Sequence, residues 1–419
     1  MRTLVALTLY VSLSSAATLG VQPDWRILRE QGLAQIDNKE YVAAESSLRA
    51  SLAAAQSLIQ TALSSSDLGV ALHNLGKDPA ARIQLERALK IWQESAGQQA
   101  RLGRTAESLG VILRNAGDYS GAENLLRRTL TVAGITVESR AELSNLLGDL
   151  FREEGRMAEA GATFRSVLDL PGIPWHAEAD AHIGVADLAR EARNWEVSFE
   201  HWSKVIEIAH DHNDSNVEAI GLRGLGLAWS QNGNRARGEP LLRKSLALFE
   251  ASVPQNLHQT ATTLGGMAEF YIADGKLAMA EEVLLKAIGL DERGLGENHP
   301  QVGALLQLLA DVQARHHDFE HARRSMDRAM LIMSAKFGED SVVAGSVWAG
   351  RGRIEQAAGN ASAAVDDYRK ALVLLSTGGP DLEGFRSSVI QSCSEVLKQL
   401  HRKGEAKALL SLLPRHDRP

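Results

Sequence analysis

Nine small residues punctuate the chain at near-regular intervals: Ala44, Ala81, Ala122, Ala160, Ser198, Gly238, Ala280, Ala322 and Ala364, with successive spacings of 37, 41, 38, 38, 40, 42, 42 and 42. Four positions after each stands a large apolar residue: Leu48, Leu85, Leu126, Phe164, Trp202, Leu242, Leu284, Met326 and Tyr368. Eight positions after, the chain carries Leu52, Leu89, Leu130, Leu168, Ile206, Leu246, Ile288, Met330 and Leu372. Twelve positions before come Gly32, Gly69, Gly110, Gly148, Ala186, Gly226, Ala268, Ala310 and Gly352. Offsets of four and eight lie on one helix face, so each anchor opens the apolar stripe of a helix. The small residue twelve earlier belongs to a preceding helix, where Gly costs about 1 kcal/mol relative to Ala. Six of the nine positions are Gly nevertheless, which predicts two helices packed too closely for a side chain between them.

Five residues before the anchor, Gly recurs at positions 76, 117, 155, 233, 275 and 359. A left-handed residue ending the first helix of each pair explains that preference. Lys39, Arg193 and His317 occupy the other three turns, which are expected to be looser or differently closed. The polar and Pro-containing segments between pairs are Leu170–Pro174, His210–Asn216 and Val253–Asn256; the first holds two prolines in four residues and is the expected hinge.

These columns resemble the tetratricopeptide repeat family: the Gly or Ala of a first helix, the turn Gly, the small anchor, and the apolar positions after it. The resemblance covers about residues 24–376. It implies an all-α fold, a right-handed α-α superhelical solenoid of about nine helix pairs. The step is longer than the family's common repeat. Asp291–Pro300, followed by a 42-residue step, looks like the long-helix variety of kinesin light chains, and Lys336–Asp340 is a weaker second copy. The first repeat carries Gln31 where others carry an aliphatic residue, as a terminal cap does. Residues 376–384 end the array, a capping helix pair is expected over 385–413 with its turn near Gly404, and 414–419 form a tail.

Composition sharpens the picture at one end of the chain. Met1-Arg2, an apolar run from Leu4 to Leu13 and the small residues Ser14–Ala17 have the layout of a secretory signal peptide, here residues 1–17. The run is too short to span a bilayer comfortably. The expectation is therefore an exported protein, periplasmic or secreted, with no membrane span after cleavage. No cysteine lies near the cleavage region, and the only one, Cys393, cannot form an internal disulfide. The net charge of −7 supplies no global attraction for nucleic acid, which is not expected as a partner.

The residues that could suggest catalytic chemistry fall into no catalytic or metal-binding pattern. His299, His316, His317 and His321 cluster in sequence, but the repeat sets His317 and His321 on either side of a turn, so they do not share a face as a zinc pair does. Asp211–Ser215 begins like a calcium loop and lacks its sixth-position Gly and closing Glu. Gly221, Gly224 and Gly226 follow no strand. Trp195, Phe199 and Trp202 fall on one helix stripe and are expected in the core, as is Cys393. No catalytic residue, metal site or cofactor is expected.

What the family resemblance implies is a partner-binding groove lined by first helices. Carried onto this chain, its exposed positions are Arg104, Glu107, Arg114, Asn145, Asp149, Arg152, Asp187, Arg190, Arg223, Glu269, Asp311, Arg315 and Arg353. Arginine is prominent among them and suits carboxylate and peptide contacts. The expected function is a non-catalytic protein-interaction scaffold that takes a peptide or protein partner. Two alternatives stand beside it: a self-assembling structural solenoid, and an envelope hydrolase or metal-dependent enzyme whose site converges from several repeats. Oligomeric state is left open.

Overall fold

The protein, seen in a computed structural model, is described over residues 24–252, 256–379 and 382–414. Residues 1–17, read above as an export signal, lie outside that range. Among the described residues every regular element is an α-helix, and the helices come in pairs. The first and second helices of successive pairs are Trp25–Asp37 with Tyr41–Ala54, Leu58–Asn74 with Asp78–Glu94, Gln99–Asn115 with Tyr119–Leu130, and Val137–Glu153 with Met157–Leu168. Then follow Trp175–Glu191 with Trp195–Asp211, Ser215–Gln231 with Arg235–Ala251, Leu257–Ala273 with Leu277–Leu295, Pro300–Arg315 with Phe319–Phe337, and Val342–Ala357 with Ala361–Leu375. Glu383–Gln399 and Lys403–Leu410 close the chain.

The chain divides into two compact units, residues 1–185 and 186–419. The division falls inside the helix Trp175–Glu191 and not at the double-proline connection expected to be the hinge. In each unit the repeat columns are the core. All nine anchors are buried, and so are all nine residues four positions later, from Leu48 and Phe164 to Tyr368. The eight-position column is different: only Leu89 and Ile288 are buried there, and the rest are half-exposed. The fully buried seam runs through position seven instead, at Ser51, Ala88, Thr129, Val167, Val205, Ser245, Ala287, Ala329 and Ala371. At 3.6 residues per turn, seven positions return closer to the starting azimuth than eight do. The residues there are small or β-branched, and at Ser51 and Val167 the next pair packs directly on them, through Ser64 and Ala177.

The turns inside the pairs correct one expectation. Lys39, Arg193 and His317 have φ of 62°, 56° and 61°, the same left-handed conformation as Gly76 at 69° or Gly275 at 71°. Their hydrogen bonds are also the same. Lys77 N–H donates to Leu72 O at 2.9 Å after the glycine turn, and Asp318 N–H donates to Gln313 O at 2.9 Å after the histidine turn. These turns are not looser; the helix-closing bonds hold a non-glycine residue in a conformation that costs about 1–2 kcal/mol.

In the second unit, the helices Leu277–Leu295 and Phe319–Phe337 each run 19 residues and end on glycines with positive φ, Gly296 at 98° and Gly338 at 92°. Within the first of them Asp291 is 2% exposed, and its Oδ1 lies 3.0 Å from Nδ1 of His258 on the preceding first helix. The final pair turns at His401, φ 59°, three residues before Gly404, which lies inside the last helix. Cys393 is fully buried in the same cluster as Tyr368 and Leu397.

Candidate functional site

In the first unit, Arg104 and Glu107 line a recess of about 380 Å³ together with Arg29, Asp67, Arg101 and Trp92. Arg29 Nε donates to Asp67 Oδ2 at 2.6 Å. Burial pushes the Glu107 carboxyl up to about 7, and the negative charges of Glu142 and Asp180 on the next two first helices push the same way. Further along these helices, Arg114 lies 3.7 Å from Asp149 and 3.8 Å from Glu153, while Arg152 reaches Asp149 at 3.6 Å. These distances are longer than those of a tight ion pair. Asn145 was expected to be exposed and is not. It is 6% exposed, and its Nδ2 donates to the Ala177 carbonyl at 2.8 Å, pinning one first helix to the next.

In the second unit, Asp187 and Arg190 pair at 2.8 Å, and Arg190 also donates to Gln231 at 3.3 Å. Arg223 donates to Gln259 Oε1 at 2.6 Å, with its guanidinium 5.8 Å from the Phe249 ring centroid. Burial pulls Arg223 down to about 10, partly countered by the charge of Asp187. It stays a cation at neutral pH, but a poorly solvated one. Glu269 is exposed on the next first helix, and its charge interacts with Arg190. Asp311 and Arg315 pair with each other at 2.9 Å, and Arg353 is exposed on its own helix. The expected residues of this unit thus group around Arg190 and Arg223, while Asp311, Arg315 and Arg353 stand apart from that group.

Two features escaped the sequence reading. One is a recess of about 820 Å³ on the second-helix side, lined by Met330, Leu331, Val373 and Trp348. Leu331 and Val373 are 74% and 68% exposed, and Trp348 lies under Lys370 at 4.2 Å and Arg351 at 5.1 Å. The other is a set of metal-capable side chains, Glu138, Glu142 and His176, whose ligand atoms all lie within 4.8 Å of one another. Glu138 and His176 occupy the same register, ten residues before the small columns Gly148 and Ala186. Aligning the repeats on that column was the signal that could have found them.

The histidines singled out in the sequence have local partners. His321 Nδ1 lies 2.8 Å from Asp318, His316 lies 3.5 Å from Glu281, and His299 accepts from Gln301 N–H at 3.3 Å as a helix cap. In the segment resembling a calcium loop, Asp214 caps a helix by accepting from Asn216 and Val217 N–H. Trp202 is buried, and Phe199 stacks on Trp229 with ring centroids 3.8 Å apart.

Comparison with known proteins points one way. One family model described as tetratricopeptide repeat matches residues 59–135 and 259–330, and a second model of the same description matches 108–172. No curated protein matches the sequence. Among solved structures, a Rap protein complexed with Competence and Sporulation Factor is similar with a TM-score of 0.57 and 11% identity, over 84% of this chain and 96% of that one. The apo form of RapI is similar at 0.53 and 16%, over 65% and 98%. A tetratricopeptide repeat protein from Parabacteroides merdae is similar at 0.50 and 18%, over 68% and 98%.

Proposed function

Because the chain is a tetratricopeptide-repeat protein, we propose that it is a non-catalytic scaffold whose first-helix faces hold a peptide or protein partner in the exported space. The observation that carries this reading is Arg223. Among the described residues it lies in no ion pair, and its hydrogen bond goes to a neutral amide, Gln259. A guanidinium held partly out of water, reached by the charge of Asp187 but in no direct ion pair among the described residues, is costly to keep, and a carboxylate arriving from a partner would supply that pair. In the first unit, the Arg114–Asp149–Arg152 group sets charges of both signs along the first helices.

Support for partner binding also comes from the fold. The Rap protein of the same fold was solved with a partner, Competence and Sporulation Factor. No helix of the described residues is long and apolar enough to cross a membrane. Export rests on the charged, apolar and small order of residues 1–17. Pull-down from an envelope extract with the wild-type chain, Arg152→Glu and Arg190→Glu tests the proposal. Loss of the same bound partner with either reversal is expected; a partner retained equally by both variants would remove the first-helix faces from the reading.

A further inference from the structure

Glu138 and Glu142 stand four residues apart on one face of the helix Val137–Glu153, and His176 stands in the first turn of the helix Trp175–Glu191. All three belong to the first unit. We propose that these three side chains bind a divalent transition-metal ion, which clasps the opening turns of two neighbouring first helices.

The distances are those of a ligand set. His176 Nε2 lies 3.4 Å from Glu142 Oε1, longer than the roughly 2.9 Å of an ordinary N–H···O bond. Two ligands each about 2.1 Å from one tetrahedral ion stand about 3.4 Å apart. The third ligand atom, from Glu138, completes a group within 4.8 Å, which an exposed side chain closes by rotation about its own bonds. One imidazole nitrogen and two carboxylates form a mixed nitrogen and oxygen set, which suits Zn²⁺ and its first-row neighbours better than Mg²⁺ or Ca²⁺. Glu138 lies in the first turn of its helix, where the helix dipole favours the ionised form a metal needs.

A second observation points to something held at this place. Asn145, one turn after Glu142, is 6% exposed, and its Nδ2 is committed to the carbonyl of Ala177, the residue after His176. That leaves Oδ1 buried with no hydrogen-bond partner. Glu142 Oε2, within the cluster itself, is likewise buried with no hydrogen-bond partner; a buried acceptor without a partner is costly, and a cation held at this carboxylate supplies one. Glu138 is exposed and Glu142 and His176 are half-buried, so an ion enters from solvent.

Isothermal titration of the chelator-stripped full-length protein with Zn²⁺ alone tests this. One ion per chain is expected, with affinity weakened by at least about tenfold in Glu142→Gln and in His176→Ala. His316→Ala, beside the carboxylate of Glu281, serves as the control and is expected to bind as the wild type does. Helical circular dichroism on each variant separates loss of binding from loss of fold. Absence of Zn²⁺ binding tighter than about 1 mM, or binding that both variants retain, would overturn the proposal. Equal loss in the control would overturn it as well, as would Ca²⁺ bound as tightly as Zn²⁺.

Discussion

The ring of Phe164 lies against the backbone of Gly148, so close that a β-carbon placed on Gly148 would sit 2.6 Å from Cε1 of the ring. Gly148 belongs to the first helix of the fourth pair and Phe164 to the second, and the contact is what sets their separation. A β-carbon on Gly184 of the next first helix would meet the same ring at 2.5 Å. The relation recurs along the chain: Gly32 faces Leu48, Gly69 faces Leu85, and Gly352 faces Tyr368, each with room for no more than a hydrogen.

Gly148→Ala is therefore expected to destabilise the protein although Ala is the better helix former. Phe164 is 1% exposed and cannot swing into solvent, so the added methyl must force the helices apart, at about 1–3 kcal/mol. Urea unfolding measures it as a lowered midpoint. A cycle with Phe164→Ala is expected to show coupling, with Gly148→Ala nearly harmless once the ring is gone.

The turns offer the opposite sign. Lys39 and His317 hold left-handed φ on exposed surface, so Lys39→Gly and His317→Gly are each expected to raise stability, by about 0.5–1 kcal/mol after the entropy of the freer unfolded chain is counted. Gly76→Ala, at φ 69°, is expected to lower stability by about 1–2 kcal/mol. Thermal midpoints of the three variants, ranked in that order against wild type, check this.

Acid sensitivity follows from Glu355. It is 5% exposed, accepts from Arg323 at 2.6 and 3.0 Å, and accepts from Asn360 at 2.7 Å. The Arg323 hydrogen bonds hold its carboxyl below the usual 4.5. A carboxyl lowered on folding binds fewer protons than in the unfolded chain, so its stabilisation is present above 4.5 and is lost as pH falls below 4.5 toward the folded value. Glu355→Gln is expected to be less stable than wild type at pH 7, with a smaller further loss between pH 5 and pH 3; unfolding curves at those pH values compare the two.

Much of the fold was legible because close packing of paired helices demands small residues at fixed spacing, and the spacing repeats even though small residues are common throughout the chain. The anchors from Ala44 to Ala364 needed only a repeat search. The seam through Ala88 and Ala329 was harder to see, because its residues are small and the half-exposed Leu89 and Met330 beside them carry the louder apolar signal. Turn closure at Lys39, Arg193 and His317 was misjudged since backbone hydrogen bonds, not residue type, fix it. The candidate faces were legible only as columns. Their charges were visible, but whether Asn145 points to solvent or to the Ala177 carbonyl depends on the offset between adjacent helices, which no single helix encodes. Glu142 and His176 meet across 34 residues for the same reason.

The central claim is that first helices, not second helices, meet the partner. Photo-crosslinking with the reactive side chain placed at Gln259, beside Arg223, and in parallel at Lys244, on an exposed second-helix face, tests it in the native envelope. A common crosslinked partner from Gln259 that Arg223→Glu abolishes, with none from Lys244, is the predicted result. A partner captured from Lys244 and not from Gln259 would contradict the account.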